Sequence, residues 1–222
     1  MKTITKFSLL SLALLCALAF GHATVPAQRA RAKTPPPPVA TVETAPLAAR
    51  PVADNLAPAG WTRYEIGQPM RFSLILPAAP SGSQERMTLT PKFAVTVRNY
   101  MSLGESGLYG ATYIDDLPAE VMNAAMKRTF FEYFVKGFAE GFQTEMNKNG
   151  AAGQVNMLAQ RAATAGGLSG YEQDFTFDKM TGRVRLVYDG SRAYAVLSFW
   201  GDPATEADRT AFFDSLRVNR GR

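Results

Sequence analysis

The chain is 222 residues long, 46% hydrophobic, 11% aromatic and 19% charged, a composition that excludes a wholly disordered chain and a protein built of membrane spans. Its formal charge is +5, but residues 1–60 hold six lysines and arginines against Glu43 and Asp54. The remainder is close to neutral and lacks the basic excess that nucleic-acid binding requires.

Lys2 and Lys6 precede an apolar run over residues 7–20, and Gly21 and Ala23 place small residues at the −3 and −1 positions of a cleavage site. This order predicts a secretory signal peptide over residues 1–23, with an apolar run too short for an ordinary membrane span. Cys16 lies mid-run behind Leu15, where lipidation calls for a small residue. Cleavage near Ala23 is therefore preferred over an uncleaved or lipidated leader, which would be the chain's membrane contact. The protein is expected to be exported, to the periplasm or the extracellular space.

Cys16 is the only cysteine and His22 the only histidine. Cleavage after residue 23 removes both. The mature protein then has no disulfide, no cysteine nucleophile and no Ser-His-Asp triad. Zinc, haem and iron–sulfur sites of the usual His and Cys ligation are excluded as well. No cofactor is expected. Carboxylate pairs, lysine chemistry and oxygen-ligated metals survive this elimination.

Residues 24–60 hold eight prolines, four of them consecutive at Pro35, Pro36, Pro37 and Pro38. Proline fixes φ and removes a donor, so the segment reads as a disordered tether with polyproline II character. The domain is expected over residues 61–218. Residues 70–76 read as a strand stopped by Pro77, and residues 80–83 as a loop. Residues 92–100 alternate, with Val95 and Val97 on one face and Arg98 on the other, and pair with residues 108–114 across a glycine-flanked turn. Tyr100, Tyr109 and Tyr113 on this hairpin are candidates for a recognition surface, although tyrosines in strands are ordinary.

The period then changes. Asp115 or Asp116 is the expected helix cap, with Pro118 in the first turn. Met122, Met126, Phe130, Phe134, Phe138 and Phe142 recur every four residues, and Lys148 with Asn149 and Gly150 supplies the stop. Burial against a sheet is the plain reading of this stripe. Phe130, Phe134 and Phe138 are also the candidate residues for an apolar ligand or lipid. Residues 155–163 read as a strand and residues 166–170 as a flexible connection. A hairpin follows with residues 179–182 as its loop, which sets Asp178 opposite Arg183 and Phe175 opposite Leu186. Glu172, Asp174 and Asp178 then form a carboxylate row, read as a solvated ladder with Arg183 and Arg185. Residues 192–200 are apolar on both faces and should be covered on both sides. A closing helix begins near Thr205 or Asp208. These elements give an α+β fold, an antiparallel sheet with helices on both faces.

Phe72-Ser73-Leu74-Ile75-Leu76-Pro77, Arg192-Ala193-Tyr194-Ala195-Val196 and Phe212-Phe213-Asp214-Ser215-Leu216-Arg217-Val218 together resemble motifs of the PsbP-like superfamily of exported PsbP- and DcrB-type domains. The resemblance spans about residues 61–218. It implies a three-layer α/β/α sandwich around a central antiparallel sheet, no catalytic residues, and an accessory role in a larger assembly. The function expected is an exported, non-catalytic binding or assembly module of the cell envelope, with another envelope protein as partner. A small-ligand or lipid carrier using a cavity beside Phe130, Phe134 and Phe138 is the alternative. A carboxylate-dependent hydrolase is the second alternative.

Overall fold

Period-two alternation in the second half of the chain becomes long antiparallel strands, and the one long period-four stretch becomes the helix that covers them. The computed structural model describes residues 42–43, 49–67, 71–90, 93–119, 123–151, 153–201 and 206–219. The signal peptide expected over residues 1–23, Met122, and much of the proline-rich segment lie outside these residues.

Strands β1 (Val42–Glu43), β5 (Ser81–Thr90), β6 (Phe93–Gly104), β7 (Gly107–Asp115), β8 (Val155–Ala165), β9 (Leu168–Phe177), β10 (Met180–Asp189) and β11 (Arg192–Trp200) form one eight-stranded sheet. Its order is β1-β5-β6-β7-β11-β10-β9-β8. Strands β2 (Ala49–Val52), β3 (Thr62–Ile66), β4 (Phe72–Leu76) and β12 (Arg217–Val218) form a smaller sheet in the order β12-β4-β3-β2. All the pairings are antiparallel. Helix α1 (Ala124–Lys148) covers one face of the large sheet. The small sheet and helix α2 (Glu206–Asp214) cover the other. The fold is therefore α+β, in three layers around a central antiparallel sheet, and the second outer layer is part sheet, part helix. The central strand β11 is buried from Ala193 to Trp200, as its two apolar faces require.

The α1 face is a cluster of rings and branched aliphatics. Phe142 lies 4.7 Å from Phe199 and 5.6 Å from Phe177, ring centre to ring centre. Phe175 stacks on Phe199 at 5.8 Å. Asn123 caps the helix, its side chain accepting from the Met126 N–H at 2.9 Å. The expected caps are engaged elsewhere: Asp115 ends β7 in contact with Arg98, and Asp116 takes a left-handed φ of 63°. The buried stripe is Phe131, Phe134, Val135, Phe138, Phe142 and Met146, and Met126 is exposed. Strict four-residue spacing drifts around a helix of 3.6 residues per turn, so the expected stripe leaves the buried face toward its N-terminal end. The stop at Lys148 is as expected, with Gly150 at φ 75°.

Three further expectations change. Residues 81–83, expected in a loop, begin β5. The flexible connection at residues 166–170 is a tight turn, in which Gly166 and Gly167 take φ of 59° and 72° and Leu168 already pairs with Ala165. In the β9–β10 hairpin the loop is only Asp178 and Lys179, so Arg183 faces Asp174, Arg185 faces Glu172, and Gly182 faces Phe175. The slip from the expected register is an even number of residues. Every side chain therefore keeps its face although its partner changes.

The folded part also reaches back into the expected tether. Strand β2 pairs with β3 through Arg50↔Glu65 and Pro51↔Tyr64. Pro51 is tolerated because β2 is an edge strand. Asp54 is buried against Arg63, and its carboxyl is held below the usual range by the Leu56 N–H and by the Arg63 guanidinium. Arg63 also donates to Ser73 Oγ at 3.2 Å and to the Ser215 carbonyl at 2.8 Å. Ser215 Oγ in turn accepts from the Ile75 N–H at 3.0 Å. This buried network joins residue 54 to the small sheet and to the end of α2.

Candidate functional site: a polar cleft between the two sheets

Arg98, Tyr113 and Tyr194 are direct cross-strand neighbours on β6, β7 and β11. Side chains two residues along a strand share a face. Tyr100, Asp115 and Arg192 therefore join that row on the face turned toward the small sheet. The small sheet brings Phe72, whose ring centre lies 5.9 Å from Tyr100, 6.1 Å from Tyr113 and 5.7 Å from Tyr194. The loop between β3 and β4 closes on itself where the Arg71 N–H donates to the Ile66 carbonyl at 2.8 Å, and Gly67 supplies the required φ of 93°. Between these parts is a cleft of about 60 Å³ lined by Gly67, Arg71, Phe72, Arg98, Tyr100, Tyr113 and Asp115. It has room for a group of a few atoms, well short of the several hundred Å³ of a typical small-molecule site.

The polar groups form a directed set. Arg98 donates to Gln84 Oε1 at 2.7 Å and to Asp115 Oδ2 at 2.7 Å. The Tyr113 hydroxyl donates to Asp115 Oδ1. Arg192 Nε stands 3.6 Å from the same oxygen. Burial pushes the Tyr100 and Tyr194 phenols each up to about 12. Burial and the bond to the Asp115 carboxylate push Tyr113 up as well. All three phenols are therefore protonated at neutral pH and available as donors. Two donors stand without acceptors among the described residues: the buried Tyr194 hydroxyl, beside Arg192, donates to no group, and no ion pair engages the Arg71 guanidinium.

The carboxylate row is organised differently. Glu172 is bound by Arg161 at 2.6 Å and Arg185 at 2.7 Å, and Asp174 by Arg161 at 2.9 Å and Arg183 at 2.5 Å. The Phe213 ring roofs it, 5.6 Å from the Arg183 guanidinium and 5.2 Å from that of Arg185. The ladder expected in solvent is thus partly enclosed, and Glu172 is only 6% exposed. Burial alone would raise the Asp174 carboxyl, but the hydrogen bonds from Arg183 and Arg161 outweigh it and hold it low. Asp178 is absent from this row, in the turn with φ 52°. Among the described residues, no three His, Cys, Asp or Glu side chains are grouped to hold a metal ion.

The apolar candidates lie across the sheet from the cleft. Phe134 and Phe138 are buried in the α1 core, with Phe138 5.4 Å from Phe175 and 6.0 Å from Phe142. Phe130 is half-buried, its ring 6.3 Å from Tyr188. Tyr100, Tyr109 and Tyr113, the candidates for a recognition surface, are instead buried beneath the small sheet, as ordinary strand tyrosines are. Two of them line the cleft, and Tyr109 is wedged between Trp61 and Phe212 at 4.8 and 5.2 Å. Arg71, Arg192 and Tyr194 were not singled out from the sequence. Their only advance signal is the pairing of a polar with an aromatic residue two positions apart on one face, as in Arg192 and Tyr194.

No known family profile matches the chain, and no curated protein matches it in sequence. Among solved structures, it is similar to the solution structure of cyanobacterial PsbP (CyanoP) from Synechocystis sp. PCC 6803. The similarity covers 76% of this chain and 98% of that one, at 9% identity and a TM-score of 0.43.

Proposed function

We propose that this chain is an exported, non-catalytic binding module of the cell envelope, attached through its proline-rich N-terminal segment and engaging another envelope protein through the cleft between its sheets. The observation that carries this reading is the commitment of four buried or half-buried carboxylates to arginine. Asp54 is bound by Arg63, Asp115 by Arg98, and Glu172 and Asp174 by Arg161, Arg183 and Arg185. A hydrolase of the two-carboxylate type needs one carboxyl poised as an acid and another free as base or nucleophile. Carboxylates saturated by guanidinium are already occupied, which suits recognition and structure better than proton transfer.

Site-specific photocrosslinking of the full chain in its own envelope tests the reading. A crosslinker at exposed Asp116, beside the cleft, should yield one discrete adduct. The same group at exposed Tyr133 on α1 should yield none. Turnover of a hydrolysable substrate by the purified chain, lost in Glu172→Gln, would overturn the proposal.

A further inference from the structure

The cleft holds more hydrogen-bond donors than its own acceptors use. Asp115 is the one carboxylate among its lining residues, and it already receives Arg98 and the Tyr113 hydroxyl. Arg98 spends two of its five N–H groups, on Gln84 and Asp115. Arg71 spends none in an ion pair among the described residues. The Tyr194 hydroxyl, beside Arg192 and next to the lining ring of Tyr113 at 5.1 Å between centres, donates to no acceptor among the described residues. A buried donor left unsatisfied is costly, so such a group in a native fold calls for a partner. Arg71, Arg98 and Arg192 stand against Asp115 and, beside Arg192, Asp189, and the surplus is one positive charge. A volume of about 60 Å³ admits a planar group of three or four heavy atoms and excludes a nucleotide or a sugar.

We propose that the cleft is a binding site for one carboxylate-sized oxyanion, anchored by the Arg71 guanidinium and supported by the remaining donors of Arg98. The oxyanion is either a free small carboxylate or the side-chain carboxylate of a partner protein. This assignment rests on the binding reading above and gives it a chemistry. Arg71 is the anchor because it belongs to the β3–β4 connection rather than to the large sheet. It closes the cleft from the side opposite Arg98 and Tyr113. A guanidinium fork engages a planar carboxylate through two parallel N–H groups, which a lysine ammonium does not reproduce.

The test uses the full chain labelled with nitrogen-15, with arginine Nε–Hε and backbone amide signals followed by NMR. The probes are sodium acetate and the blocked tripeptide acetyl-Gly-Glu-Gly-amide, at ionic strength held constant with sodium chloride. Saturable shifts confined to Arg71, Arg98 and the Gly67 and Phe72 amides are expected. Arg71→Gln should weaken acetate binding about tenfold, the loss of one charge-assisted fork. Arg71→Lys, which keeps the charge, should weaken it severalfold, and Arg50→Gln at the far edge of the small sheet should leave it unchanged. Binding of acetate and tripeptide alike marks a partner's side chain as the source, and binding of acetate alone marks a free anion. Shifts that never saturate, that chloride reproduces, or that persist undiminished in both Arg71 variants overturn the proposal. The two readings fail separately. A missing crosslink at Asp116 with intact acetate binding removes the protein partner and leaves the oxyanion site. A crosslink without acetate binding does the reverse.

Discussion

The two faces of the eight-stranded sheet are made by the same strands, yet their interiors differ in kind. In β11, Ala193, Ala195, Leu197 and Phe199 point toward α1, and Tyr194 and Val196 point toward the small sheet. The α1 side is closed by ring on ring, with a few polar groups set among the rings. Thr112 Oγ1 donates to Asn99 Oδ1 at 2.7 Å, Glu145 is buried on α1 itself, and the Tyr188 hydroxyl donates to the Lys127 carbonyl at 2.7 Å. The other side encloses guanidinium groups, hydroxyls and carboxylates in linked hydrogen bonds. The dry face derives its stability from volume and close packing. The wet face depends on each group keeping its partner, and it is the one that holds a cleft with donors to spare.

The largest effect should come from the dry face. Phe142 touches Phe138, Phe175, Phe177 and Phe199, so Phe142→Ala should lower the unfolding free energy by about 4 kcal/mol in urea titrations. A loss below about 1 kcal/mol would break the claim that packing of α1 carries that side. Next is Arg63→Ala, which strands the buried Asp54 carboxylate and the Ser215 carbonyl and should cost about 3 kcal/mol. A smaller, pH-dependent effect sharpens the contrast. The Asp54 and Asp174 carboxyls sit below their ordinary value of 3.8. Their contribution is fully present above 3.8 and is lost as pH falls through the lowered folded values, because the unfolded chain takes up protons first. Thermal melts in acid should show this loss in the parent and a weaker one in Arg63→Ala, where the Asp54 part has gone. The smallest effect is Tyr194→Phe. Removing a hydroxyl that donates to no acceptor among the described residues should change stability by less than about 0.5 kcal/mol, or raise it. A loss above about 1 kcal/mol would show that the hydroxyl has a partner in the free protein.

Local pattern predicted much of the dry face and little of the cleft. The alternation of β10 and β11 marked both strands and their apolar sides, and the phenylalanines of α1 marked a buried helix. The stripe was misplaced by repeating four where 3.6 governs, so Phe131 was missed and Met126 wrongly included. The β9–β10 hairpin was paired with too long a loop, and its faces survived only because the slip was even. Proline content concealed the start of the fold, since an edge strand accepts Pro51 and no local pattern marks the Asp54–Arg63 pair. The cleft depends on β7 lying beside β11 and on Phe72 arriving from another sheet. These are long-range choices of neighbour, and no run of adjacent residues carries them.

The Asp54–Arg63 pair has a mechanical consequence. Tension applied to the chain ahead of Ala49 would open the β2–β3 ladder from its Ala49↔Ile66 end, one rung after another, toward Val52↔Arg63. Peeling of this kind needs little force per rung. It would then meet a carboxylate clamped by an arginine that is itself bonded to Ser73 and to the Ser215 carbonyl. The load would pass at that point into three separate parts of the fold. Residue 54 thus serves as the strain relief of a cable, letting the first few residues of the lead give way while the body it is fixed to stays closed.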